Sequence, residues 1–374
     1  MTRPRILIVG GGFAGLWAAR TLGRMAIADV TLVDRRATSD FLPLLPDVAG
    51  GRIPSSAACW PLTAAAARFG FRFCQDDLAG IDRAARRAVG RQGEYDYDWL
   101  LLACGVEPAF HGQDALRPQL STLSSLADAV RLAAAVDAAP PEATVVVVGG
   151  GYTGIEIATH VQRRLQAAGQ ARPVRVLEAA PELLGALPER VRRYVRRQLE
   201  ARRIAVQTGT RVSAMDPDGA LRLSDGSRIA APLTIWSAGV AAAPWVAGLG
   251  LPQGRQGRLA VDACLRLDEH GFAAGDIAGL AVDGIPLRLG VQAAVTQGVA
   301  AARNIAALCR GRAARPYRPW DPGYIVPLAN GRGCGSVMGL PVQGPPAAWL
   351  HYLLCAYRSW TWPSRRRILR GMIG

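Results

Sequence analysis

Two glycine clusters carry the clearest chemistry in this sequence. Gly10-x-Gly12-x-x-Gly15 follows the apolar run Arg5–Val9 and opens a helical pattern, and Gly149-x-Gly151-x-x-Gly154 follows Thr144–Val148 in the same way. In such a loop the first glycine permits the tight turn, the second lets the backbone approach a pyrophosphate, and the third lets the helix pack close to the strand. The helix start adds free N–H groups and a partial positive charge, which suit phosphate. Each cluster is followed by a strand that ends in an acid: Asp34, nineteen residues after Gly15, and Glu178, twenty-four after Gly154. An acid at that place accepts from ribose hydroxyls. Ala179 and Ala180 follow Glu178, with no Arg there to neutralise a 2′-phosphate, so the second site favours NADH over NADPH. Arg175, inside the strand, is the opposing feature.

The elements that must position these groups repeat. Each copy reads as a buried parallel strand, a glycine turn, a helix and a second strand. The expected fold is α/β, with two Rossmann-like dinucleotide-binding domains, the second inserted in the first. The expected boundaries are residues 1–114 with 255–320 for an FAD-binding domain, 115–254 for an NAD(H)-binding domain, and 321–374 for a short C-terminal membrane-associating segment. Residues 205–235 alternate polar and apolar around Asp225-Gly226, which predicts a small β-meander. A helix is expected over about Val291 to Arg310, with Ala294, Ala301 and Asn304 inward. In flavoproteins with two such modules the first fingerprint usually holds the flavin and a late Gly-Asp closes over its ribityl chain. Gly275-Asp276, flanked by Phe272-Ala-Ala and Ile277-Ala, fits that place.

Composition removes other chemistries. The 374 residues include 44 basic ones, all Arg, against 29 acidic, for a net charge of +15. Without lysine there is no Schiff-base chemistry. The charge scatters through helices, with no zinc finger or RNA-binding aromatic signature, so nucleic acid is not an expected partner. The seven cysteines (Cys59, Cys74, Cys104, Cys264, Cys309, Cys334 and Cys355) form no C-x-x-C pair, which argues against a local redox disulfide or a metal cluster. The chain runs straight into a strand at Arg5, so no signal peptide is expected. No run reaches the eighteen or so apolar residues of a membrane-spanning helix.

Five segments together resemble the type II NADH dehydrogenases, single-chain NADH:quinone oxidoreductases. They are Gly10-Gly-Gly-Phe-Ala-Gly-Leu16, Phe41-Leu-Pro-Leu-Leu-Pro-Asp-Val-Ala-Gly50, Gly149-Gly-Gly-Tyr-Thr-Gly-Ile-Glu156, Trp236-Ser-Ala-Gly-Val240 and Ala274-Gly-Asp-Ile-Ala278. The resemblance implies FAD on Gly10, Gly12, Phe13, Ala14, Gly15, Asp34, Arg35, Leu44, Leu45, Gly105, Gly275, Asp276, Val291 and Gln292. It implies NADH on Gly149, Gly151, Tyr152, Thr153, Gly154, Glu156, Glu178, Ala238 and Gly239. Glu156 and Gln292 are the expected polar contacts near the reacting rings. Glu156 also reads as an ordinary first-turn helix acid, and Gln292 as a surface amide. Cys104 replaces the family's Thr in Ala103-Cys-Gly105. The family carries two Gln four residues apart at its quinone site. Here Gln292 keeps the first place, Thr296 stands at the second, and Gln297 is rotated from it by about 100°. A quinone is thus the expected acceptor, implied with one departure. The alternatives are a soluble NAD(P)H-dependent reductase of a small redox protein, a sulfide:quinone reductase using Cys334 and Cys104, and a low-turnover FAD/NADH sensor.

The C-terminal run Ala347–Tyr357 is apolar and short, followed by Trp360 and Trp362 among Arg358, Arg365, Arg366, Arg367 and Arg370. Aromatic rings and arginines beside an apolar helix suit the lipid interface. Docking on the protein or at a homodimer interface is the other reading. The expected location is the cytoplasmic face of the bacterial inner membrane, peripherally, or otherwise the cytoplasm.

Overall fold

The computed structural model describes residues 3–282 and 284–373. Contacts divide the chain into two compact units: one holds the residues up to Ser39, Trp60–Glu107 and Val240–Asp321, the other Asp40–Cys59, Pro108–Gly239 and the residues from Pro322 onward. Contacts thus group Asp40–Cys59 and the C-terminal residues with the second glycine motif. A domain drawn around a bound nucleotide and a unit drawn by contacts need not share edges.

The first unit is built on a five-stranded parallel sheet. Its order is Gly271–Ala273, Trp99–Leu102, β1 (Arg5–Val9), β2 (Asp29–Asp34) and Arg72–Gln75. The central strands are buried on both faces, as the continuous runs of Ile, Leu and Val require. Helix α1 (Phe13–Met25) crosses from β1 to β2 and packs along the long helix Val291–Leu308. Gly298 makes that approach possible: a Cβ there would lie 2.2 Å from the Ala14 carbonyl oxygen. Ala294, Ala301 and Asn304 are buried on the inner face of the long helix.

The second unit repeats the plan with a four-stranded parallel sheet. Its order is Ile204–Gln207, Val174–Leu177, Val145–Val148, Leu233–Trp236. We label Val145–Val148 β3, the helix Tyr152–Ala167 α2, Val174–Leu177 β4 and the helix Glu189–Glu200 α3. The expected meander is present as Val212–Met215, Leu221–Leu223 and Arg228–Ile229. Its apolar residues Val212, Leu221 and Leu223 join Val146, Val148, Leu177 and Trp236 in one core.

A second meander was not evident from the Gly/Pro/Arg-rich composition of residues 311–346. Gly323–Leu328, Arg332–Val337 and Leu340–Gly344 pair antiparallel. Gly335 is needed because a Cβ there would sit 2.0 Å from the Tyr324 oxygen of the paired strand. Two helices end the chain: α4 (Pro345–Arg358), packed on this meander, and α5 (Trp362–Ile373). Among the described residues no helix is long and apolar enough to cross a membrane.

Candidate dinucleotide sites

In the first unit the glycine loop turns between β1 and α1 with Gly10 at φ +105°, a conformation that favours glycine. Gly15 has no room for a side chain: its Cβ would lie 1.8 Å from the Gly10 oxygen. Gly12 is the opposite case, since a Cβ there would meet nothing within 4 Å. The space in front of Gly12 therefore lies outside the protein's own packing, beside the uncapped start of α1. That is the geometry a pyrophosphate needs.

Asp34 closes this loop. Its carboxylate accepts from the Gly11 N–H at 2.6 Å and the Arg36 N–H at 2.7 Å. Arg35, exposed, pairs with Glu107 at 2.9 Å. The turn Ala103-Cys104-Gly105, after strand Trp99–Leu102, passes directly over Gly10. Burial pushes the Cys104 thiol up to about 12.

Gly275 lies near Ala14 and Ala294, which brings the start of α1, the Gly275-Asp276 turn and the start of the helix Val291–Leu308 together. Asp276 accepts from the Gly290 N–H, and burial raises its pKa against the opposing charge of Arg258. Gln297 has the role that sequence reading missed. It is buried, and its Oε1 accepts the Gly275 N–H at 2.8 Å. Thr296 Oγ1 bonds instead to the Gln292 carbonyl and the Tyr317 hydroxyl, both at 2.8 Å. Phe13, Val291 and Gln292 are half-buried at the two helix starts. Leu44 and Leu45 are fully buried in the second unit.

The second unit repeats the construction closely. Gly149 has φ +111°, Gly154 would clash with the Gly149 oxygen at 1.8 Å, and Gly151 opens onto empty space. Glu178 accepts from the Gly150 N–H at 2.5 Å and the Ala180 N–H at 2.7 Å. The turn Ser237-Ala238-Gly239 crosses Gly149 as Ala103-Cys104 crosses Gly10. A pocket of about 200 Å³ lies beside Gly150, Gly151, Tyr152, Glu178, Ala180 and Glu182. Thr153 is exposed at the first turn of α2. In both modules the acid is thus also a structural latch, joining the glycine loop to the end of its neighbouring strand. The two open glycine cradles and their acids fit dinucleotides.

Glu156 lies one turn along α2 and is half-buried. Burial, then the charge of Asp47, raise its pKa well above the carboxylate range. Asp47 belongs to the short helix Leu45–Ala49 and is 1% exposed. Its Oδ1 accepts from the Tyr352 hydroxyl at 2.6 Å and lies 3.8 Å from His160 Nε2. Burial pushes its carboxyl up to about 6, opposed by Tyr352, Arg52 and Arg163. His160 is held well below its usual range by burial, and His351 is lowered to about 4. The Arg52 guanidinium donates to the carbonyls of Gly371 and Ala329 and lies 5.0 Å from the Tyr352 ring. This buried polar cluster was not foreseen. The one available signal was that two of only four histidines, His160 and His351, fall on apolar helices.

Two dinucleotide cradles, each a glycine turn latched by an acid, define the class: a two-module nucleotide-dependent oxidoreductase fold. The chain belongs to the pyridine nucleotide-disulphide oxidoreductase family, which matches residues 4–302. It is 29% identical to the demethylphylloquinone reductase NdbB of Synechocystis sp., over 96% of this chain and 93% of the relative. It is 25% identical to a type II NADH:quinone oxidoreductase of Staphylococcus haemolyticus, over 93% of each. The fold matches that of NDH2 from Plasmodium falciparum, solved in complex with NADH, with a TM-score of 0.89 at 14% identity, covering 99% of this chain and 98% of that one.

Proposed function

We propose that the protein is an FAD-dependent, non-proton-pumping NADH dehydrogenase that passes electrons to a quinone. The observation that carries this reading is the duplicated open cradle, Gly12 with Asp34 and Gly151 with Glu178, in one chain. Relatives matched over more than nine-tenths of the chain and named as quinone reductases support the acceptor.

FAD would be held by Gly10, Gly12, Phe13, Ala14, Gly15, Asp34, Arg35 and Gly105, with Asp276 at the ribityl chain and Gly275, Val291 and Gln292 beside it. Bound FAD supplies the redox chemistry that links a hydride donor to a quinone. NADH would lie along Gly149, Gly151, Tyr152, Thr153 and Gly154, with its ribose on Glu178 and with Ala238, Gly239 and Glu156 further along. Burial and then the neighbouring charge of Asp47 disfavour the charged form of the Glu156 carboxyl. Gln292 would offer its amide to a carbonyl oxygen. The Thr296 hydroxyl is bonded to the Gln292 backbone carbonyl and to Tyr317. Sulfide chemistry is disfavoured: burial pushes Cys104 and Cys334 both up to about 12, whereas a redox thiol works as thiolate.

The C-terminal helices support peripheral membrane association, and the cytoplasmic face is the proposed side. One side of α4 buries Ala348, Tyr352 and Cys355 in the protein. The other leaves Trp349, Leu353 and Tyr357 exposed, four residues apart on one face. Trp362, Arg366 and Arg370 of α5 are exposed as well. That is an apolar strip with cations beside it, suited to an anionic lipid interface. A homodimer using the same strip is the competing outcome.

Absorbance spectra of the purified protein test the function. A flavin spectrum that bleaches with NADH and recovers with a short-chain quinone is expected. A protein that binds FAD, is reduced by NADH and then fails to reduce any quinone would refute the acceptor.

A further inference from the structure

The turn that follows β4 has a conformation its sequence does not favour. Leu184 stands at φ +51°, in the left-handed region. A leucine Cβ crowds the neighbouring carbonyl there, so such a residue persists only where its surroundings hold it. Two backbone bonds do so. The Leu184 N–H donates to the Gly150 carbonyl at 3.0 Å, and the Leu184 carbonyl accepts the Leu187 N–H at 2.8 Å. The turn is thereby fastened to the glycine loop.

The first module shows which part of this turn is ordinary packing. There the Leu62 side chain covers the middle glycine of the loop, so closely that a Cβ on Gly11 would lie 2.6 Å from it. In the second module Leu183 covers Gly150 in the same way, at 2.4 Å. Leu62 begins the helix Leu62–Phe69, whereas Leu183 is followed by the reversal at Leu184. Leu184 and Leu187 both line the pocket of about 200 Å³, and Gly185 and Ala186, which also line it, are exposed. Gly150, Gly151 and Glu178 border the same pocket. With a pyrophosphate at Gly151 and a ribose on Glu178, the apolar side chains of Leu184 and Leu187 are left for the base. A purine gains by burying its apolar faces on such side chains. We infer that Leu184, held in the left-handed conformation, and Leu187 form the wall on which the adenine of NADH packs, and that Leu184 sets the affinity for the base. This rests on the reading that the second module takes a nicotinamide dinucleotide.

The test uses the FAD-loaded protein and reads NADH affinity together with the second-order rate of flavin bleaching by reduced nicotinamide mononucleotide, which lacks the base. Glycine adopts the left-handed conformation freely, so Leu184→Gly keeps the turn and removes only the side chain. Leu184→Gly and Leu187→Ala should each weaken NADH by about ten-fold or more, as loss of a large apolar contact predicts. Bleaching by the mononucleotide should not change, and Leu184→Met should restore most of the affinity for NADH. Unchanged NADH affinity in both variants overturns the inference. An equal loss for the mononucleotide does so too, because it marks a purely structural effect. Photolabelling of the unmodified protein with 8-azidoadenine NAD gives a readout that needs no variant to fold. The label should fall within residues 180–187 and be displaced by NADH, and a label elsewhere overturns the assignment. If the unmodified protein binds no NADH, the module assignment falls, and this inference with it.

Discussion

At the scale of single residues, the glycines divide into two physical kinds although one motif contains both. Gly15 and Gly154 serve the fold, because any Cβ would overlap a backbone oxygen at 1.8 Å. Gly12 and Gly151 serve a ligand, because a Cβ would meet nothing. Gly12→Glu should therefore yield a folded protein without flavin colour, with a melting temperature close to that of the unmodified apoprotein. Gly15→Val should lower stability by several kcal/mol, by about 3 or more as for other overpacked sites. Equal stability loss in both, measured by thermal melting of apoproteins, would contradict the distinction. Asp47 gives a pH prediction. Burial moves its carboxyl from an unfolded value near 3.9 to about 6, so the fold favours the protonated form. Its favourable contribution is complete below pH 4 and is lost as pH rises through 6. Asp47→Asn keeps an acceptor for Tyr352 and should stabilise the protein by at most about 3 kcal/mol at pH 7.5, with little gain at pH 4. His160 and His351, both lowered, pull the other way, gaining stability as pH rises toward 6.5. Urea unfolding at the two pH values separates them, because Asp47→Asn removes the Asp47 contribution together with its charge on Glu156 and leaves both histidines in place.

At the scale of elements, the helix Val291–Leu308 couples packing to the site. Its Gly298 lets α1 approach, and its Gln297 reaches into the turn that carries Asp276. Replacing Gln297 with Leu leaves the buried Gly275 N–H without its acceptor, which costs about 1–3 kcal/mol. We expect weaker FAD retention on dialysis as well as that destabilisation, and Gln297→Glu should restore part of both by returning an acceptor. Destabilisation with flavin affinity unchanged would separate the turn from the cofactor. The helical period explains why Gln297 does not stand in for the missing Gln at 296. One residue turns the side chain by about 100°, from the half-buried face to the core. The sequence showed the substitution, and the period showed that Gln297 points elsewhere, but its partner in Gly275 lies twenty-two residues away and leaves no local pattern.

At the scale of the whole molecule, the charge of +15 and the exposed strip on α4 make the proposed membrane association testable. Trp349→Ser with Leu353→Ser should reduce co-sedimentation with anionic vesicles by about ten-fold or more, since two large apolar side chains contribute roughly 1.5–3 kcal/mol each when buried. Because these side chains are exposed, folding and flavin content should not change. Undiminished vesicle binding would reject the strip as the lipid contact, and a change in oligomeric state instead would assign it to a second copy of the chain.

The sequence by itself determined the two nucleotide modules. Strand, glycine turn, helix and acid lie within about thirty residues of each other, so their geometry follows from local rules. Family membership and the break at Thr296 were legible for the same reason. The tertiary structure decided which polar groups share a buried environment. Asp47, Glu156, His160 and Tyr352 come from three separate helices, and burial with mutual charge, not local sequence, sets where their protons reside. It also decided the two faces of α4. Apolar residues around a helix do not say which side is docked; that depends on the meander of residues 323–344 beneath it.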